Sequence, residues 1–198
     1  MKDIVAGMGE ALWDVLPEGK KIGGSPAKFA YHVSQFGLNS CVVSAVGDDL
    51  LGKEIIEDFT SKGLHHLIEN VAYPTGTVQI GIDKDGIPQY EIRENVAWDD
   101  IPFTPQLKQL TENTKAVCFG SMAQRNVVTR NTINSFLDAM PKEQTLIVFD
   151  VNLRQGFYNK DILYHSMERC NILKINDEKL VEVSRMFGYP DIDFQDKC

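Results

Sequence analysis

Short apolar runs alternate with amphipathic stretches along most of this chain. Ile4-Val5-Ala6-Gly7-Met8 and Cys41-Val42-Val43-Ser44-Ala45-Val46 are apolar almost throughout, and Ala116–Gly120, Thr145–Phe149 and Ile172–Ile175 read the same way. Strands without a polar face are those covered on both sides, as in a parallel sheet. Between them, Gly52–Lys62, Thr129–Met140, Asp161–Cys170 and Asp177–Phe187 carry apolar residues at helical spacing. Ser25-Pro26 predicts a capping serine followed by proline at the first helical position. Phe29, Val33 and Phe36 then form the expected buried stripe, and Gly37 and Gly63 the helix stops. Strands in alternation with helices predict an α/β fold.

One region breaks the rhythm. Thr77–Ile82 and Gln89–Ile92 flank Asp83-Lys84-Asp85-Gly86, which is turn chemistry between two alternating strands. A second extended stretch, Ala11 to Ile22, is placed to pair with this hairpin. The pair reads either as a small sheet covering a ligand or as a plain surface hairpin, since both look alike in sequence.

Composition narrows the classes. The 198 residues are 43% hydrophobic, enough for a real core. A formal net charge of -8 argues against a nucleic-acid partner, which would need clustered Lys and Arg. Lys20-Lys21 is too short a basic run to count. The four cysteines lack C-x-x-C spacing, and Cys41 and Cys118 lie inside apolar runs where a thiol acts as a small hydrophobe. A reducing cytoplasm, with no membrane partner, is the expected setting, because neither a signal-like N-terminus nor an 18-residue apolar run is present.

Two phosphate-binding signatures fail. There is no G-x-x-x-x-G-K-[ST], and the third glycine of a G-x-G-x-x-G begun at Gly7 is Leu12. A dinucleotide-dependent oxidoreductase therefore stands only as a second alternative. Three other clusters offer chemistry. Asp14 lies just past the first strand, where a carboxylate can accept hydrogen bonds from neighbouring hydroxyls of a polyol; a turn aspartate is the plainer reading. Gly23-Gly24 precedes the first helix and allows a close backbone approach. Asp150-Val151-Asn152-Leu153-Arg154 ends an apolar strand, so its alternate polar residues would face a crevice at the sheet's carboxyl edge. There Arg154 could hold a phosphate and Asn152 could orient it.

Together these segments resemble the ribokinase-like (PfkB) sugar kinases. The resemblance rests on Gly23-Gly24-Ser25-Pro26-Ala27-Lys28-Phe29-Ala30, Val46-Gly47-Asp48-Asp49-Leu50-Leu51-Gly52, Asp150-x-Asn152-x-Arg154 and Leu173-Lys174-Ile175-Asn176. The opening from Gly9-Glu10 to Pro17-Glu18-Gly19 is most similar to the fructokinase branch. The resemblance implies a doubly wound, mostly parallel sheet with a small β-sheet lid. The core would comprise residues 1–10, 23–74 and 99–198, and the lid residues 11–22 and 75–98. It implies ATP-dependent phosphorylation of a sugar hydroxyl with Mg2+, and a possible homodimer through the lid. Asp14, Gly23, Gly24 and the residue at Lys28 would contact sugar. Asn152, Arg154 and Asn176 would lie towards the phosphates, with Glu178 as a stand-in metal ligand.

Three departures qualify that picture. Lys28 stands where the family usually has asparagine, so an ammonium that only donates replaces an amide that does both. Lys179 occupies the acidic position of the N-x-x-E element begun at Asn176. The resemblance covers roughly the N-terminal two-thirds of a typical member, and the Gly-Ala-Gly-Asp-type segment that carries the base is not in this sequence. The expectation is therefore an incomplete kinase of weak or no activity, with a non-catalytic sugar-binding or associating remnant as the alternative.

Overall fold

A computed structural model describes residues 3–82, 88–141, 143 and 145–189. They build a six-stranded sheet, a smaller four-stranded sheet and helices between them. The large sheet contains β1 (Ile4–Met8), β4 (Ser40–Gly47), β5 (His65–Val71), β8 (Thr114–Gly120), β9 (Leu146–Asp150) and β10 (Ile172–Lys174). Its order is β10-β9-β8-β1-β4-β5, and every pairing is parallel. From β1 the chain winds outward through β4 and β5, then returns to β8 on the other side and winds to β10. This reversal beside β1 is the switch point at which open α/β sheets part to admit a ligand.

Burial follows that order. All eight residues of the central β4 are buried, whereas β10, at the edge, is exposed throughout. Ala6, Met8, Val43, Phe119 and Phe149 share one cluster with Ile133 and Phe136 of α4 (Val127–Ala139) and Leu163 of α5 (Lys160–Arg169). On the opposite face, Val42 and Val46 pack with Ala27 and Ala30 of α1 (Ser25–Gln35) and Ile55 and Phe59 of α2 (Leu50–Ser61). The sheet is thus covered on both sides, as its uniformly apolar strands require.

Two local expectations change. The cap of α1 is Gly24, not Ser25; Ser25 is already helical and makes no capping bond. Phe36 is not part of the buried stripe but is 84% exposed, since the face against the sheet is lined by the small residues Pro26, Ala27 and Ala30. Close packing of α1 accounts for that choice: a Cβ at Gly7 would lie 2.1 Å from the Pro26 carbonyl oxygen.

The small sheet joins β2 (Leu12–Leu16), β3 (Gly19–Gly23), β6 (Gly76–Ile82) and β7 (Pro88–Ile92) in the order β3-β2-β6-β7. Ala11–Ile22 does pair with the hairpin: β2 runs parallel to β6 and antiparallel to β3, and β6 pairs antiparallel with β7. The expected turn at 83–86 lies outside the described residues. Leu12, Val78, Ile92, Val96, Trp98 and Met122 form a third cluster beneath this sheet. Two further α-helices are α3 (Pro105–Thr111) before β8 and α6 (Asp177–Met186) after β10, and short 3-10 turns span Ala97–Asp99 and Met122–Gln124. Among the described residues no helix is long and apolar enough to cross a membrane.

Candidate sugar and phosphate site

The carboxyl end of β1, the start of α1 and the carboxyl end of β9 meet at one place. Beyond β1 the chain turns through Gly9 and Glu10 into β2, which carries Asp14. Asp14 faces Lys21 in the antiparallel register, and β3 ends at Gly23, opposite Leu12. The glycine pair is demanded by the chain's own packing. A Cβ at Gly23 would come within 2.7 Å of the Asp14 carboxyl carbon and 2.4 Å of a Leu12 methyl. One at Gly24, where φ is 97°, would sit 2.0 Å from the Glu10 carbonyl oxygen. No other residue fits both the dihedral and the approach.

Lys28, one turn into α1, reaches back to Asp14, with Nζ 3.1 Å from Oδ2. Its side chain is 53% exposed and that of Asp14 22%, so the pair is partly screened by solvent. Asp14, Gly23, Gly24 and Lys28 therefore form one contiguous patch beside the α1 N-terminus.

The second patch grows from β9. Asp150 is buried, and its Oδ2 accepts a hydrogen bond from the Ser25 hydroxyl while Oδ1 holds Lys174 Nζ at 2.8 Å. The Ser25 bond spans 125 residues and joins the diglycine directly to the β9 rim. It also explains why Ser25 does not cap its own helix. Past Asp150, the backbone of Asn152 is pinned by Ser121, whose Oγ donates to Asn152 O at 2.7 Å and accepts from Asn152 N at 2.8 Å. Arg154 is exposed and lies over the Tyr90 ring of β7, 4.7 Å from its centroid, and Gln155 Nε2 donates to Tyr90 O at 2.9 Å. The small sheet thus touches both patches, through Asp14 on β2 and Tyr90 on β7.

Asn176 caps α6, its Oδ1 accepting from Lys179 N at 3.0 Å. Lys179 turns its ammonium onto Val151 O at 2.8 Å. Glu178 is exposed in the first turn of α6, and among the described residues no three His, Cys, Asp or Glu side chains converge as a metal site would require.

Three contributors were not marked by sequence. Ser25 and Lys174 bind Asp150, and Glu10 lies buried behind them at 1% exposure. Both Glu10 oxygens lack a hydrogen-bond partner of good geometry. Burial pushes its carboxyl up to about 7; its own backbone amide opposes this, nearby Asp150 adds to it, and Arg125 and the Ala123 amide oppose it. Arg125 is itself buried, paired with Asp99 through Nε–Oδ1 at 2.7 Å and Nη2–Oδ2 at 2.8 Å, and sandwiched between Trp98 and Phe157.

The sequence matches the pfkB family carbohydrate kinase over residues 17–193. An ATP-dependent 6-phosphofructokinase of Thermoanaerobacterium thermosaccharolyticum is 29% identical over 85% of this chain and 53% of its own. A fructokinase of Klebsiella pneumoniae is 24% identical over 89% of this chain and 61% of its own. The chain thus spans little more than half the length of these curated relatives. The crystal structure of an uncharacterized sugar kinase from Pyrococcus horikoshii superposes with a TM-score of 0.81 at 25% identity, covering 93% of this chain and 69% of that one. That kinase is also known in complex with ATP. Matched from the end of β2 to beyond α6, and wound as that sugar kinase is, this chain belongs to the pfkB family of carbohydrate kinases.

Proposed function

We propose that the chain acts as a carbohydrate kinase of the fructokinase type, transferring the γ-phosphate of ATP to a hexose hydroxyl. The observation that supports this reading is the Ser25–Asp150 hydrogen bond, which joins the diglycine segment to the β9 rim. Asp14 accepts from sugar hydroxyls, with Lys28 donating to the same sugar. Gly23 and Gly24 bring the backbone alongside, and the small sheet serves as the cover. Arg154, Asn152 and Asn176 face the ATP phosphates. In the transfer, the bond from Pγ to the bridging oxygen of ATP breaks and one from Pγ to the sugar oxygen forms; ADP leaves, the hydroxyl proton passes to water, and positioning and charge neutralisation dominate the rate.

The residues at the rim do not fit a carboxylate-held Mg2+. Asp150 is taken by Ser25 and Lys174, and Lys179 brings an ammonium where a metal would need an acid. A second reading, sugar binding without turnover, is favoured by the committed state of the nearby carboxylates: Asp14 pairs with Lys28 and Asp150 with Lys174. No base is assigned among the described residues.

A coupled assay for ADP release with D-fructose separates the two readings. Sugar-dependent turnover supports the kinase; calorimetric fructose binding without ADP supports the binding module. Asp14→Ala should weaken fructose binding roughly tenfold or more, the loss expected for a charged hydrogen-bonding partner. An unchanged affinity would remove Asp14 from the site.

A further inference from the structure

Cations and acids are equal in number at the rim beyond β9, but two of the acids, Asp177 and Glu178, are exposed on α6 while the ammoniums of Lys174 and Lys179 are drawn onto the end of the strand. Lys174 leaves β10 with Nζ on Asp150, and Lys179 in the first turn of α6 sets Nζ on the next carbonyl, that of Val151. The backbone of the same two segments is tied by Val151 N donating to Lys174 O at 2.9 Å. Arg154 stands three residues on. Lys174 and Lys179 thus flank one buried carboxylate, which Ser25 also engages, and Arg154 lies near enough to repel Lys179.

The environment of Lys179 records that crowding. Partial burial holds its ammonium below the ordinary lysine range; Asp150 opposes this, Arg154 and Lys174 add to it, and Glu178 opposes it. Asp177 and Glu178, the acids of the same helical turn, are exposed and so are well solvated. A half-buried ammonium beside two other cations is costly unless an anion completes the set. The Lys179 side chain spends one donor on Val151 O, which leaves others of its three for a ligand.

We propose that Lys179, with Lys174 and Arg154, binds the phosphate chain of the nucleotide directly, the ammonium supplying at this rim the neutralisation that a divalent cation supplies in metal-assisted phosphoryl transfer. The identity of the anion rests on the kinase reading above; the existence of a direct oxyanion seat does not. Lysine suits the role because it is a compact charge that neutralises oxygens without imposing octahedral geometry.

Calorimetric titration of the full 198-residue chain with inorganic tripolyphosphate, in EDTA and in excess Mg2+, tests this directly. The expected result is saturable binding in EDTA that Mg2+ does not strengthen. Lys179→Met, which keeps the aliphatic packing, should weaken EDTA binding roughly tenfold or more, and Lys179→Glu should make residual binding dependent on Mg2+. Thermal melts of both variants establish that they are folded, and Lys174→Gln serves as an independent second removal of charge. Absence of binding in EDTA, strict dependence of the wild type on Mg2+, or equal affinity in folded Lys179→Met would overturn the proposal. A parallel fructose titration keeps the two readings apart. Tripolyphosphate binding without fructose binding retains the oxyanion seat and removes the sugar kinase; the reverse outcome removes only the seat.

Discussion

Glu10 sits where the chain leaves the central strand, buried and with neither carboxyl oxygen in a hydrogen bond of good geometry. Its ordinary value of 4.5 rises to about 7 in the fold, chiefly because burial disfavours the charged form. A raised folded value means that the native state holds the proton more tightly than the unfolded chain does. The associated stability is complete below 4.5, declines as pH rises towards 7, and is absent above it. The loss is on the order of 3 kcal/mol. Glu10→Gln, an uncharged near-isostere, should abolish this decline, so urea melts at pH 5 and pH 8 should show the variant gaining on the wild type at the higher pH. A parallel pH dependence in both proteins would refute the assignment. Gly24 gives a second test of how tightly this turn is packed. Gly24→Ala places a methyl against the Glu10 carbonyl at a positive φ, and should lower stability by about 2 kcal/mol or more in the same melts. Neither residue could be ranked from sequence by these criteria: the glycine pair is visible, but the carbonyl that fills the space at Gly24 belongs to Glu10, fourteen positions earlier, and nothing local marks Glu10 as buried.

The two connections of the small sheet are held by partly buried polar clamps. Before β6, Asp49 caps α2 through Gly52 N at 2.8 Å and also accepts from Thr75 N at 2.8 Å and Thr75 Oγ1 at 2.7 Å. This gives the Val46–Gly52 motif a structural part in anchoring the strand that follows. After β7, Arg125 pairs with Asp99 and donates to Arg93 O at 2.6 Å. Arg125→Leu leaves the Asp99 carboxylate buried and uncompensated, so a loss of about 3–5 kcal/mol is expected in equilibrium unfolding. A variant as stable as the wild type would show that the clamp is idle. The elements themselves were legible to different degrees. β1 and β4 declare themselves because both faces are covered and nearly every position is apolar. β5 went unread because it is an edge strand of half-buried and exposed residues, His65 to Val71, with no sustained apolar run. α3 is only seven residues long and follows a proline-rich entry, too short for a helical period to stand out. The misplaced cap at Ser25 has a different cause: its partner, Asp150, is brought near only by the sheet order, which overrides the local preference of serine for capping.

Across the whole molecule, the winding reversal beside β1 sets the start of α1 against the end of β9, and the small sheet touches both, through Asp14 on β2 and Tyr90 on β7. The sequence-derived candidates for polyol and phosphate contacts fall into two patches, linked through Ser25 and Asp150. What sequence could not supply was the charge balance there, because Lys28 is matched to Asp14 and Lys174 to Asp150 only in the folded chain. Backbone amide NMR on the folded chain, titrated separately with D-fructose and with tripolyphosphate, probes this arrangement most directly. Fructose should shift the amides of Asp14, Gly23, Gly24 and Lys28, tripolyphosphate those of Val151 to Arg154 and Asn176 to Lys179, and both should move Ser25. Shifts confined to other surfaces, or fructose and tripolyphosphate responses with no residue in common near Ser25 and Asp150, would contradict a single shared site.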